Sequence, residues 1–94
     1  MASTVTDNRA RQRFELDVPG AIAFIDYRRN GNVVTLTHAQ VPVHLRGGGI
    51  GAALVEGALA IVRARCEKVV PQCSFVAAYI ARHPADQELL ADRS

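Results

Sequence analysis

The chain has no tryptophan, and only two tyrosines and three phenylalanines among its 94 residues. With so few rings, it offers no basic patch interleaved with aromatics on which nucleic-acid bases could stack. A net charge of +2 is also too small to mark a binder of the phosphate backbone. No apolar run reaches the length of a membrane-crossing helix, and the first residues lack the apolar centre of a signal peptide. The two cysteines, Cys66 and Cys73, fit no zinc spacing and are too few for a disulfide scaffold. The three histidines form no metal pattern either. These absences predict a reduced, cytoplasmic protein with no metal, no membrane and no nucleic acid among its partners.

What remains is ordinary for a globular domain: 49% of residues are apolar and 21% charged. A chain of this size makes one domain, burying roughly 60–70% of the surface its unfolded form exposes. "MASTVTDNRAR" is polar and aperiodic, so residues 1–11 read as a flexible tail and 12–94 as the folded unit. "RFELDV" alternates, with Phe14, Leu16 and Val18 on one side, which predicts a half-buried strand. Pro19-Gly20 turns the chain into a second strand, "AIAFIDYRR". The Asn30-Gly31-Asn32 hairpin signal then leads into a third, Val33 to Val41.

The second half changes period. From Gly49 to about Cys66, apolar residues cover most of a helical wheel, as in a helix lying against a sheet. "KVVPQC" follows as a short strand whose Pro71 cannot donate a ladder hydrogen bond. Ser74 is the expected N-cap of a second helix, with Phe75, Val76, Tyr79 and Ile80 as its apolar face. Pro84 ends that helix or begins a last turn through Leu90. An antiparallel meander followed by helix, strand and helix is a mixed α/β (α+β) layer architecture.

The stretch "HLRGGGIGAAL", His44 to Leu54, places four glycines just before the first helix. Backbone N–H groups and the helix dipole favour an anion at such a terminus. Gly47, Gly48, Gly49 and Gly51 carry no side chains to obstruct it, and Arg46 adds a guanidinium fork. The alternative is a tight turn that needs positive φ at two or three glycines, with Arg46 in solvent. A P-loop is excluded because Ala52 and Ala53, not Lys-Ser/Thr, follow the last glycine. Gly47, Gly49 and Ala52 match a dinucleotide fingerprint letter for letter, but in the wrong context. The preceding strand closes a hairpin, and the next strand ends in Gln72-Cys73 with no acid for a ribose.

Arg46-x-x-Gly49-x-Gly51 resembles the coenzyme A pyrophosphate motif of the GNAT acetyltransferase superfamily, Gln/Arg-x-x-Gly-x-Gly/Ala. The likeness extends through "VPVHLRGGGIGAALVEGAL" and "KVVPQCSFVAAYIARHP", which resemble the small, single-domain branch of that superfamily. The resemblance implies acetyl-CoA as cosubstrate and makes 12–94 a minimal acyl-CoA-binding domain. Two adjacent parallel strands, here Val33–Val41 and Lys68–Gln72, would splay to admit the pantetheine arm. Val41, Arg46 to Gly51 (Ile50 included) and Cys73 are then the expected coenzyme contacts. Backbone N–H groups between Thr37 and Val41 would polarise the thioester carbonyl.

For catalysis the sequence offers Cys73, at a strand end before a helix start, where a thiol's pKa falls. It either accepts the acetyl group transiently or packs as a small buried hydrophobe. His38 is a candidate base if it points to the cofactor side, and otherwise a surface histidine. The branch commonly carries Glu where this chain has Gln40, which removes one possible base. Tyr79 lies one residue off the family's thiolate-protonating tyrosine, nearer to which falls Ile80, and reads as core. Tyr27 reads as cross-strand packing, Cys66 as core, and His44 and His83 as solvated or phosphate-neutralising. Arg28, Arg29, Arg63 and Arg65 read as solvated charge.

Full members of the superfamily place helices after their first strand, where this chain has only the turn at Pro19-Gly20. The acceptor site is therefore expected to be open and shallow, suited to a protein or peptide amine. Transfer of acetyl to an amine or thiol is the leading expectation. The alternatives are a non-catalytic acyl-CoA-binding or sensing module and a structural interaction domain. Neither the acceptor nor the oligomeric state can be read from these residues.

Overall fold

A computed structural model describes residues 4–45 and 47–91. Five strands, β1 (Thr6–Asn8), β2 (Arg13–Val18), β3 (Ala21–Asn30), β4 (Val33–Gln40) and β5 (Lys68–Pro71), form one sheet in chain order. The first four run antiparallel, and β5 lies parallel to β4. Helix α1 (Ile50–Ala64) makes the crossover from β4 to β5, and α2 (Ser74–Ala81) leads to a 3-10 segment, Pro84–Leu89. The expected mixed architecture is the one observed.

Among the described residues, helices cover one face of the sheet and leave the other open. Phe14, Leu16, Ala23, Ile25, Tyr27, Val34, Leu36 and Val69 join Leu54, Val55, Ala58, Leu59 and Val62 of α1 and Val76, Tyr79 and Ile80 of α2 in one core. Each side chain of this size contributes about 1.5–3 kcal/mol when fully buried, so alternation along each strand fixes which face turns inward. The opposite face carries Arg13, Glu15, Phe24, Asp26, Arg28 and Thr35, as the partner registers require.

The N-terminal segment is not a free tail throughout. Asp7 pairs with Phe14 across the β1–β2 register, and Val5 is buried in the core. A Cβ on Gly57 would collide with Val5, which accounts for a glycine in the middle of α1. Asp7, its side chain only 4% exposed, accepts a 2.5 Å hydrogen bond from Tyr27 and a 2.7 Å bond from Arg65. Arg29 reaches both Asp7 and Glu67, and Arg63 holds Asp86 and Glu88. Three of the four arginines expected as solvated charge are therefore ion-paired. Arg28, exposed as read, has no ion pair among the described residues.

Several boundaries differ from expectation for local reasons. Strand β4 stops at Gln40, one residue before Val41. Helix α1 ends at Ala64, and Cys66 turns left-handed at φ 58. Its thiol is thereby rotated off the apolar arc and exposed, not in the core. Cys73, not Ser74, occupies the N-cap position of α2, and no side chain caps that helix.

Candidate functional site

Strands β4 and β5 pair from Val33–Lys68 to Leu36–Pro71 and then part. Pro71 has no N–H to continue the ladder. Gln72 N–H bonds back to Val70 C=O at 3.1 Å, and Cys73 N–H donates to Leu36 C=O at 2.9 Å. The proline thus ends the pairing where the splay was expected. Beyond this point Thr37 to Gln40 no longer pair with β5.

A second irregularity sits at the same level. The β3–β4 register shifts between Asp26 and Tyr27, leaving Thr37 as an extra residue in β4, with its hydroxyl donating to Asp26 C=O at 3.2 Å. Such a bulge reverses the inward and outward alternation of the residues beyond it. Ala39, opposite Ile25, consequently turns to the helix side, while His38, opposite Asp26, turns to the uncovered face. His38 lies 6.4 Å from the Phe24 ring and is exposed. It does not reach the cofactor side as a base there would have to.

On the helix side, a cleft of about 490 Å³ opens among Ala39 and Val41, the glycine loop, and Phe75, Tyr79 and Arg82. That volume suits a small-molecule site. Gly47 and Gly49 hold φ of +88° and +86°, a region that side chains rarely enter. Gly49 is the N-cap of α1 and offers no side chain to the first turn. The N–H groups of Ile50, Gly51 and Ala52 therefore have no intrahelical acceptor. Gly51 leaves room for a neighbouring ring: a Cβ there would lie 2.6 Å from Phe75 Cζ.

The expected coenzyme contacts separate on this geometry. Val41, Gly47, Gly49 and Gly51 line the cleft. Gly48 is exposed, its N–H bonded to Leu45 C=O at 3.4 Å. Ile50 packs on the core, and Arg46 lies outside the described residues. Cys73 is half-buried where the strands part, packed on the core and not among the cleft's lining residues. His44 is exposed in a short 3-10 turn, and His83 stacks on Tyr79 with centroids 3.9 Å apart.

Phe75, Tyr79 and Arg82 were missed as site residues. Phe75 is 43% exposed in the cleft, not on a buried face. Their spacing of four and then three residues places them on one stripe of α2, a signal that the sequence did contain. Burial raises the pKa of Tyr79, and the carboxylates of Glu56 and Asp86 raise it further. Its phenol stays protonated at neutral pH and can serve as a hydrogen-bond or proton donor. Among the described lining residues there is no carboxylate and no imidazole, so Tyr79 is the hydroxyl of the cleft that could protonate a strong base such as a leaving thiolate.

Comparison with known families matches the model of GCN5-related N-acetyl-transferases to residues 13–89. Among solved structures, the fold is similar to a GCN5-like protein from Staphylococcus aureus, determined in solution by NMR. The two superpose with a TM-score of 0.72 at 22% identity, over 96% of this chain and 89% of that one.

Proposed function

The chain belongs to the GCN5-related N-acetyltransferase family, and from that membership we propose that it binds acetyl-CoA in the α1–α2 cleft and transfers the acetyl group to an amine. The observation that carries this reading is the convergence of three features on one cleft. These are the uncapped N-terminus of α1, the left-handed glycines before it and the parting of β4 from β5. A diphosphate would take hydrogen bonds from the N–H groups of Ile50 to Ala52, and the helix dipole would add to their attraction. Arg82, at the far end of the stripe that begins with Phe75, adds a permanent positive charge to the wall.

In transfer, the amine nitrogen attacks the thioester carbonyl carbon, the C–S bond breaks, and coenzyme A leaves as a thiolate. The proton lost by the amine and the one gained by the thiolate balance. Tyr79 is placed to supply the latter and to recover a proton from water. A backbone donor from β4 beyond Leu36, where the strand no longer pairs with β5, would hold the carbonyl oxygen as charge develops on it. Direct transfer requires the amine to reach the thioester as the neutral base, since no described residue of the lining is a carboxylate or an imidazole that could deprotonate it. A route through an acetylated Cys73 is the competitor, favoured by its place beside the splay.

Acetyl-CoA and CoA at about 100 times their dissociation constants should each add about 2.7 kcal/mol of stability, raising the melting temperature by about 10–20 °C. NAD should leave it unchanged. Differential scanning fluorimetry reads all three, and an unchanged melting temperature with millimolar acetyl-CoA would sink the reading.

The two chemical routes part in variants. Tyr79→Phe should lower the turnover rate about 10–100-fold with binding retained, whereas Cys73→Ala should leave at least half the turnover. Intact mass spectrometry of the acetyl-CoA-treated protein should find no acetyl adduct on Cys73. An adduct there, with activity lost in Cys73→Ala, would establish the covalent route instead. The absence of any carboxylate or imidazole among the described residues of the cleft lining also favours a second reading, a binding or sensing module without turnover. Acetyl-CoA stabilisation with no CoA release to any amine would select it.

A further inference from the structure

The uncovered face of the sheet holds a polar groove of about 590 Å³, lined by Ala10–Gln12 of the β1–β2 turn, Asp26–Arg29 of β3 and Thr37 of β4. Its shape is set by the backbone: Gln12 is held left-handed at φ 53, and its carbonyl accepts the Tyr27 N–H at 2.9 Å. The charge of this groove is unbalanced. Asp26, its carboxylate, already faces Arg13 Nε at 3.4 Å. Arg29 is engaged by Asp7 and Glu67. Arg11 and Arg28 remain, both exposed, and neither has an ion-pair partner among the described residues.

The groove also lies at a particular place. Thr37, its β4 wall, directly follows Leu36, the last β4 residue paired with β5 and the acceptor of the Cys73 N–H. The acetyl-CoA cleft opens beside the same parting on the other face, where Ala39 and Val41 line it. A thioester entering from the helix side fills that side of the gap. A second reactant is left the uncovered face, where the two unpaired guanidiniums stand.

We propose that this groove receives the acceptor, and that the acceptor is an amine carrying an anionic group, a carboxylate or a phosphate, which Arg11 and Arg28 hold. The proposal rests on the acetyl-CoA reading above. Guanidinium forks bind both anions through paired, charge-assisted hydrogen bonds, and an amine without an anionic group would leave both forks unused. With the anion anchored beyond β3, the amine end points back over Thr37 toward the gap. There its nitrogen bonds to the acetyl carbon, the C–S bond breaks, and the amine's proton balances the one the thiolate takes up.

The test is an amide-resolved NMR titration of the 15N-labelled protein, with CoA present in excess to block the glycine loop. O-Phosphoethanolamine and β-alanine are the amines that carry an anionic group, ethanolamine the amine without one, and inorganic phosphate the anion alone. At least one amine that carries an anionic group should shift the Arg28 and Thr37 amides, and ethanolamine at equal concentration should not. If only the phosphate-bearing amine acts, the anion is a phosphate; if only β-alanine acts, it is a carboxylate. Arg11→Ala with Arg28→Ala should weaken that binding about tenfold or more while the thermal shift with acetyl-CoA persists. Equal shifts from ethanolamine, shifts confined to residues 47–52, or unchanged affinity in the double variant would overturn the proposal. A missing thermal shift with acetyl-CoA, measured separately from the titration, would instead overturn the cofactor reading.

Discussion

Gly51→Val should abolish stabilisation by acetyl-CoA while leaving the uncomplexed domain within about 1 kcal/mol of its original stability. A side chain at this position meets the outer edge of the Phe75 ring, 2.6 Å from an added Cβ. Phe75 is 43% exposed, so the ring can swing away without opening the core. Valine is no worse than glycine in a helix interior, and the backbone loses nothing by the exchange. The displaced ring and the new methyl groups, however, occupy the cleft in front of the first-turn N–H groups. The gain of about 2.7 kcal/mol at saturating acetyl-CoA should then fall to near zero. Gly49→Val provides the contrast. At φ +86° it strains the N-cap itself and should cost about 1–3 kcal/mol before any ligand is added. If Gly51→Val keeps the full acetyl-CoA shift in fluorimetry, the glycine run shapes a turn and the coenzyme binds elsewhere.

Leu36→Ala should be among the most damaging single changes to stability. Leu36 is fully buried and is the last point at which β4 and β5 are paired. Emptying such a position costs about 2–5 kcal/mol, the lost transfer energy together with the cavity left behind. A domain of this length has about 5–14 kcal/mol in total, so at the middle of both ranges the variant should lose about a third of its urea midpoint. Val33→Ala, on the same strand but on the uncovered face and half-buried, should cost less than about 1 kcal/mol. Equal losses in the two variants would contradict a core confined to one side of the sheet.

The parts of this architecture that were legible in the sequence rest on contacts close along the chain. The Asn30-Gly31 turn and the alternation of β2 to β4 marked three strands, and Pro71 marked where the parallel pair would separate. The features that were not legible depend on distant partners. β1 is three polar residues, Thr-Asp-Asn, with no alternating apolar pattern. It is a strand because Asp7 is held by Tyr27, Arg29 and Arg65, residues far along the chain. The face that His38 takes stayed open because the bulge at Thr37 has no local signature, and one extra residue exchanges the two faces for the rest of β4. Cys66 continued the apolar arc on paper, but the helix had ended two residues earlier. The glycine loop was legible as the irregular backbone before α1, yet the reason for Gly51 was not. Only the packing of α2 against α1 brings Phe75 to it.

The spatial order of the strands repeats their order in the chain, and that has a consequence for how the domain comes into being. Three of its four strand pairings join neighbours across short turns, so little loop-closure entropy opposes them and they can form within microseconds. The fourth, β4 with β5, must wait for the segment that carries α1. That one long-range closure is the step expected to limit the folding rate. The splay on which the cofactor reading depends is therefore assembled last, at the seam between a fast local meander and a slower crossover.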